Sequence, residues 1–190
     1  MLTRLRWFNI YFSLIGSLCL FSGCETTGDK QPAGKNKDKE ATLLRFHLEV
    51  NSDGTGLNSP VSVFRAQPVM VNVNKNSFLN EGDIMEAMVV DVVGGFAISI
   101  QFDPHGMLVL DSVTGGSRGS RIAIMSQFGS QKDGAVRWIA APRITHHIKD
   151  GRFTFTPDAS LEESERIVRG INNIAIELKK QPKKPKTQKK

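Results

Sequence analysis

From Leu43 to Gly129 apolar residues recur mainly with a period of two, and the chain's one unambiguous switch to the period of a helix comes late, between Pro157 and Lys180. In LLRFHLEV, Leu44, Phe46, Leu48 and Val50 share one face, and Arg45, His47 and Glu49 share the other. That alternation predicts a half-buried strand with His47 on its solvated face. After the turn-forming NSDGTGLNSP come VSVFRA and VMVNVNK, two more alternating runs, with Pro68 marking an edge or a break between them. AMVVDVV, FAISIQFD and RIAIMSQFG read as further strands, and Gly94-Gly95 as a hairpin turn. LNEGDIMEAM fits a short helix capped by Asn80, with Asp83 three residues on, and GMLVLDSVTGG has helical length with a glycine stop at Gly115.

The late switch is well marked. Ser160 and Glu163 form a capping box, acids fill the first turn, and Lys179 and Lys180 close the last. Leu161, Ile167, Val168, Ile171, Ile174, Ala175 and Leu178 lie near helical spacing and are expected to pack on the sheet. Many strands and few helices, without βαβ alternation, predict an α+β fold: a mostly antiparallel sheet packed by one or two helices.

The N-terminal region follows a different logic. MLTRLRW carries Arg4 and Arg6 and no acid, and the apolar stretch Trp7 to Phe21 is 15 residues long. A helix crossing a bilayer needs roughly 20 apolar residues, so an export signal is the better reading. FSGC resembles the lipobox of bacterial lipoproteins: a bulky residue, two small ones and a Cys that is acylated after cleavage before it. The scissile bond would join Gly23 to Cys24, and the Cys24 thiol would take up the lipid. Residues 1–23 are thus expected to be the signal. Cys19 would leave with it, so the mature chain would keep one cysteine, with none left for an internal disulfide or a four-ligand zinc site.

Charge divides the remainder. The chain has 25 Lys and Arg against 19 Asp and Glu; without Arg4 and Arg6 the balance is 23 against 19. KKQPKKPKTQKK, residues 179–190, holds seven Lys, so residues 24–178 carry 16 against 19. The basic character therefore belongs to an expected disordered tail, which could meet anionic lipid, and the acid-leaning domain argues against nucleic acid. Residues 25–40 have no aromatic or large aliphatic side chain, and four Lys balance four acids. They complete an expected flexible tether over 24–40, whose 16 residues beyond Cys24 would reach about 20 to 25 Å. Residues 41–178 remain for one domain.

Within that domain GGFAISIQFDPHGMLVLDSVT, GSRIAIMSQF, WIAAPRI and GRFTFTPDASLEESERIV, in this order, resemble the head portion of the first large periplasmic domain of SecD, the accessory subunit of the protein-export translocase. The likeness covers about residues 79 to 176. It implies a SecD-head fold and contact with polypeptides emerging on the far side of the membrane. The transmembrane acidic and arginine residues of SecD's proton-coupled motor have no counterpart in these motifs, so motor activity is not carried over.

No catalytic set emerges from the residues. His146 and His147 are adjacent, which on a strand points them to opposite faces and makes a poor metal site. Asp103, before Pro104 and His105, is expected to cap a helix. Arg118 and Arg121 lie in a glycine-rich turn without P-loop spacing and are expected to be solvated. Trp138 is expected in the core, and no serine has a nucleophile-elbow context. The expectation is a non-enzymatic, cofactor-free and metal-free lipoprotein, exported and facing the periplasm or cell exterior. Its partners would be the membrane, through Cys24, and exported polypeptides or translocase components. Contact would be made along VSVFRA, at Ser62 and Phe64, with Glu165 on the outer face of the last helix away from it. The alternatives are a structural link to cell wall or anionic lipid through the tail, and an envelope enzyme with an unrecognised cleft.

Overall fold

The computed structural model describes residues 40–52, 54, 56–129 and 135–180. The expected signal, the cleavage and lipidation sites at Gly23 and Cys24, most of the tether, and tail residues 181–190 lie outside the described residues. No helix among the described residues is long and apolar enough to cross a membrane.

The chain runs β1 (Leu43–Leu48), β2 (Asn58–Val63), β3 (Val69–Asn74), β4 (Leu79–Asn80), a single 3-10 turn (Glu81–Asp83), β5 (Ile84–Val92), β6 (Gly95–Phe102), α1 (Pro104–Gly116), β7 (Ile122–Phe128), β8 (Ala135–Ala140), β9 (Arg152–Phe155) and α2 (Leu161–Lys180). The α+β class holds, and every strand pairing is antiparallel. The strands do not form one sheet but three: β4-β1-β7-β8, the hairpin β2-β3, and β5-β6-β9.

The four-stranded sheet is buried on both faces. One face joins the main core, where Phe46 of β1 meets Phe102 of β6 and Phe153 of β9 edge to face, with ring centroids 5.3 and 6.0 Å apart. Leu110 of α1 and Ile167 and Ile171 of α2 complete that core. The other face is covered by the β2-β3 hairpin, through Val63, Val71 and Val73 against Ala123 of β7 and Ala141, with Trp138 of β8 beside them.

This second layer corrects the reading of His47, which is only 7% exposed. Its Nδ1 lies 2.9 Å from the Asn74 carbonyl, which makes that nitrogen the protonated one, and its ring meets Trp138 edge to face at 5.1 Å. Burial first, and the charge of Arg45 after it, hold its pKa below the ordinary value, against the opposing Asn74 hydrogen bond.

Local signals were kept but sometimes shortened. The Asn80/Asp83 capping box forms in full, yet it closes only one 3-10 turn before Ile84 starts β5. Strand pairing with β6 wins because it buries Ile84 and Ala87 and satisfies the backbone. The β5-β6 hairpin turns at Val93-Gly94, with Gly94 at φ 91°.

Helix α2 opens on its predicted box: Glu163 N donates to Ser160 Oγ at 3.1 Å, and Ser160 N donates to Glu163 Oε2 at 3.0 Å. Ile167, Ile171 and Ala175 are buried as expected, but Leu161 and Leu178, near the two ends of the helix, are 48% and 45% exposed. The close approach is made by Gly170, where a Cβ would lie 2.3 Å from Thr42 Oγ1. The helix continues through Lys179 and Lys180, at the expected start of the tail, and Lys179 Nζ donates to the Met85 carbonyl at 3.3 Å. At the other boundary Glu40, the last residue of the expected tether, accepts from Arg166 Nε and Arg169 Nε, both at 2.8 Å.

Candidate polypeptide-binding surface

The β2-β3 hairpin pairs Ser59 with Val73, Val61 with Val71 and Val63 with Val69. Their side chains turn inward, and the alternate pairs Pro60–Asn72 and Ser62–Met70 turn outward. Ser62 is exposed, and Met70 opposite it is 65% exposed. The two strands differ in their second edges. β3 is joined to the end of β1, by a bridge between Glu49 and Val73 and by Val50 N donating to Asn72 O at 2.9 Å. β2 has β3 as its only ladder partner among the described residues. Pro60, which cannot donate to a ladder, sits on this open strand, as prolines within sheets do.

Phe64 does not continue the strand. It has φ 70°, the left-handed region that a non-glycine residue seldom adopts, and its ring packs against the second core. The bend is fixed just beyond it. Arg65 N donates to Asp158 Oδ2 at 2.8 Å, and the Arg65 guanidinium pairs with Asp158 at 3.3 Å and Glu163 at 3.6 Å. The Ser160 backbone N–H holds the Glu163 carboxyl below its ordinary pKa, burial opposes this, and Arg137 and then Arg65 add to the lowering. The expected contact pair thus divides: Ser62 stands on an open strand, and Phe64 is a partly buried anchor. Met70 was not singled out from sequence, although the alternation of VMVNVN already turned it outward.

A second strand edge is closed. Asn172 of α2 clamps β5, its Oδ1 accepting from Ala87 N and its Nδ2 donating to Ala87 O, both at 2.9 Å. Glu165 is exposed on α2 beside Met88 and Val89, on the rim of a shallow groove of about 490 Å³.

The other candidate residues have structural partners. Asp103 caps α1 as expected, accepting from Gly106 N at 2.7 Å. Asp83, Asp103 and His105 offer ligand atoms within 4.8 Å of one another, a grouping not foreseen from sequence. Both carboxylates are already engaged there: Asp83 accepts from Asn80 N at 3.0 Å and meets His105 Nδ1 at 3.0 Å. His146 and His147 lie in a loop, not a strand, and turn to different partners. His146 Nδ1 is 3.0 Å from Thr145 Oγ1, and His147 Nε2 meets the Asp111 carbonyl at 3.0 Å and its carboxylate. Arg118 is solvated, whereas Arg121 is half-buried, its N–H donating to Glu49 Oε2 at 2.7 Å, which corrects the expectation of two solvated arginines. Trp138 is half-buried and packs against the second core.

No protein-family model matches the chain, and no curated protein matches it. Solved structures do. A structure of SecDF, a membrane component that enhances protein export, superposes with a TM-score of 0.50 at 19% identity, over 73% of this chain and 66% of that one. SecDF in a super-membrane-facing form matches at TM-score 0.49 and 19% identity, over 70% of this chain and 19% of the other. SecDF from Thermus thermophilus, a translocon-associated membrane protein, matches at TM-score 0.38 and 16% identity, over 72% and 29%. The chain therefore spans about two thirds of the first of these structures and far less of the other two. The described domain has a SecD periplasmic-like fold.

Proposed function

We propose that this chain is a non-enzymatic, lipid-anchored protein outside the cytoplasm that binds extended polypeptides along the free edge of β2, in connection with protein export. The observation that carries the reading is the stretch of β2 over residues 59–63, which among the described residues has a ladder partner on one side only and presents Ser62 beside exposed Met70. Backbone groups on such an edge accept an added strand whatever its sequence, which suits a binder of varied chains. Affinity is modest, since ordering a flexible peptide offsets about 2–5 kcal/mol of the gross interaction. The SecD-like fold supports a place in export. The FSGC motif supports anchoring through Cys24, and the Lys-rich tail supports added contact with anionic lipid.

A photo-crosslinker at Ser62 is expected to capture exported polypeptides in intact cells, and one at Glu165 on α2 is not. Absence of capture at Ser62, together with no slowing of aggregation of an unfolded client by the purified mature chain, would leave the protein as a structural link between membrane and wall. The anchor is tested separately. Cys24→Ser is expected to abolish incorporation of a labelled lipid precursor, and a mature-sized, membrane-bound mutant would contradict it.

A further inference from the structure

Residues 41–178 carry 12 Lys and Arg against 15 Asp and Glu, yet one end of the domain is strongly basic. RITHHIKDGR, residues 143–152, holds Arg143, Lys149, Arg152 and two histidines against Asp150 alone. The segment after α1 is zipped to it: Gly119 N donates to Ile144 O at 2.9 Å, Ile144 N donates to Ser120 O at 2.8 Å, and Arg143 Nη1 donates to Gly119 O at 2.8 Å. Arg118 and Arg121 are thereby brought to the same region, with Arg121 bridged to Arg143.

Arg65, Arg137, Arg166 and Arg169 each sit in an ion pair. Arg118, Arg121, Arg143, Lys149 and Arg152 form none among the described residues, as is also true of Arg45, Lys75, Lys179 and Lys180, but here five such cations gather in one region. Three carboxylates offset part of this charge and leave an excess of cations: Asp150 Oδ1 accepts from Arg152 N at 3.1 Å, and Glu49 Oε2 accepts from Arg121 N. Asp111 is paired with His147. A favourable interaction with the α1 C-terminus accounts for a cation at Arg118 and not for the other four. A net excess of positive charge around a concavity raises the local concentration of anions. That concavity is present, a space of about 550 Å³ lined by Arg143, His146, Lys149 and Arg152, with Asp150 as its one carboxylate among the described residues.

We infer that this end of the domain docks on an anionic membrane, with lipid headgroup phosphates drawn into the concavity between Arg143, Lys149 and Arg152. The inference rests on the lipid-anchor reading, because the expected tether over 24–40 would hold the domain within about 20 to 25 Å of the lipid headgroups. It adds a second, tail-independent contact that orients the domain.

The test uses the processed, acylated chain on vesicles of phosphatidylcholine, with or without phosphatidylglycerol, with a fluorophore at Thr145→Cys or Ser62→Cys and a quencher on the lipid headgroups. On neutral vesicles the two labels quench alike. On anionic vesicles the Thr145 label is expected to quench several-fold more than the Ser62 label at low salt, and the difference disappears at high salt because exposed charges are screened. The variant Arg118→Gln/Lys149→Gln/Arg152→Gln, altered only at exposed side chains outside any ion pair, is expected to lose the difference with an unchanged circular dichroism spectrum. Equal quenching of the two labels on anionic vesicles, or a difference that survives in the triple variant, overturns the inference. So does protection of the Thr145 label by a soluble polyglutamate peptide without any vesicle effect, which would assign the face to an acidic peptide. A chain that fails to bind neutral vesicles refutes the anchor, and the comparison of labels on anionic vesicles still decides the basic face.

Discussion

His47 shows how one side chain reports a whole layer. Its neutral ring is held between Trp138 and the Asn74 carbonyl, and its Nε2 is buried without a hydrogen-bond partner, so the folded protein resists protonating it. The unfolded chain takes up that proton near the ordinary value of 6.5, and the folded state only at a lower pH. The unfolded state therefore binds more protons below pH 6.5, and stability falls as pH drops through that window. Glu40 and Glu163 act elsewhere. Burial opposes ionisation of Glu40, but the hydrogen bonds from Arg169 and Arg166 outweigh it, and both carboxyls are held below 4.5. Their stabilisation is present above pH 4.5 and is lost as pH falls through the lowered values. Denaturant midpoints between pH 7 and 5 are thus expected to decline in the wild type and to decline less steeply in His47→Phe, which keeps a ring against Trp138. Parallel slopes would show that His47 is not the group responsible.

At the scale of elements, α2 is where local and long-range signals agree. Its capping box, first-turn acids and buried Ile167-Ile171-Ala175 stripe were legible, because each depends on neighbours within four residues. Gly170 was not legible as a contact, since its need for space is set by Thr42, far away in sequence. Gly170→Ala is expected to destabilise the domain by about 1–3 kcal/mol through overpacking, against a helix-propensity gain of about 1 kcal/mol. Thermal denaturation checks this, and a raised midpoint would mean that Thr42 moves aside without cost. The turn Glu81–Asp83 teaches the converse. Its Asn80/Asp83 cap forms, but the helix expected beyond it yields to β5, because pairing with β6 and burial of Ile84 and Ala87 outweigh a local preference. Phe64 is similar: nothing in VSVFRA announces a left-handed residue, and the bend is held by Asp158, just before α2, and by Glu163 in the first turn of α2.

For the whole molecule, the α+β class and the SecD-like head were legible because turn glycines, helix caps and alternating strands occur in a recognisable order. Division into three sheets was not, since period-two patterning does not say which strands pair. The hairpin that covers His47 also makes β2 an open edge, so the candidate site depends on the feature the sequence concealed. Pro60 and the outward Ser62 mark that edge only once the pairing is known. In the proposed binding mode extended polypeptides add to β2 through its backbone. Amide hydrogen exchange, followed by NMR with and without a saturating unfolded client, tests it most directly. The expected result is slowed exchange at the Ser62 amide, which faces the open edge, with shifted resonances along residues 59–63 and little added protection of the Ser59, Val61 and Val63 amides already paired with β3. Bound client with the Ser62 amide unchanged, or with changes confined to the groove between β5 and α2, would contradict it.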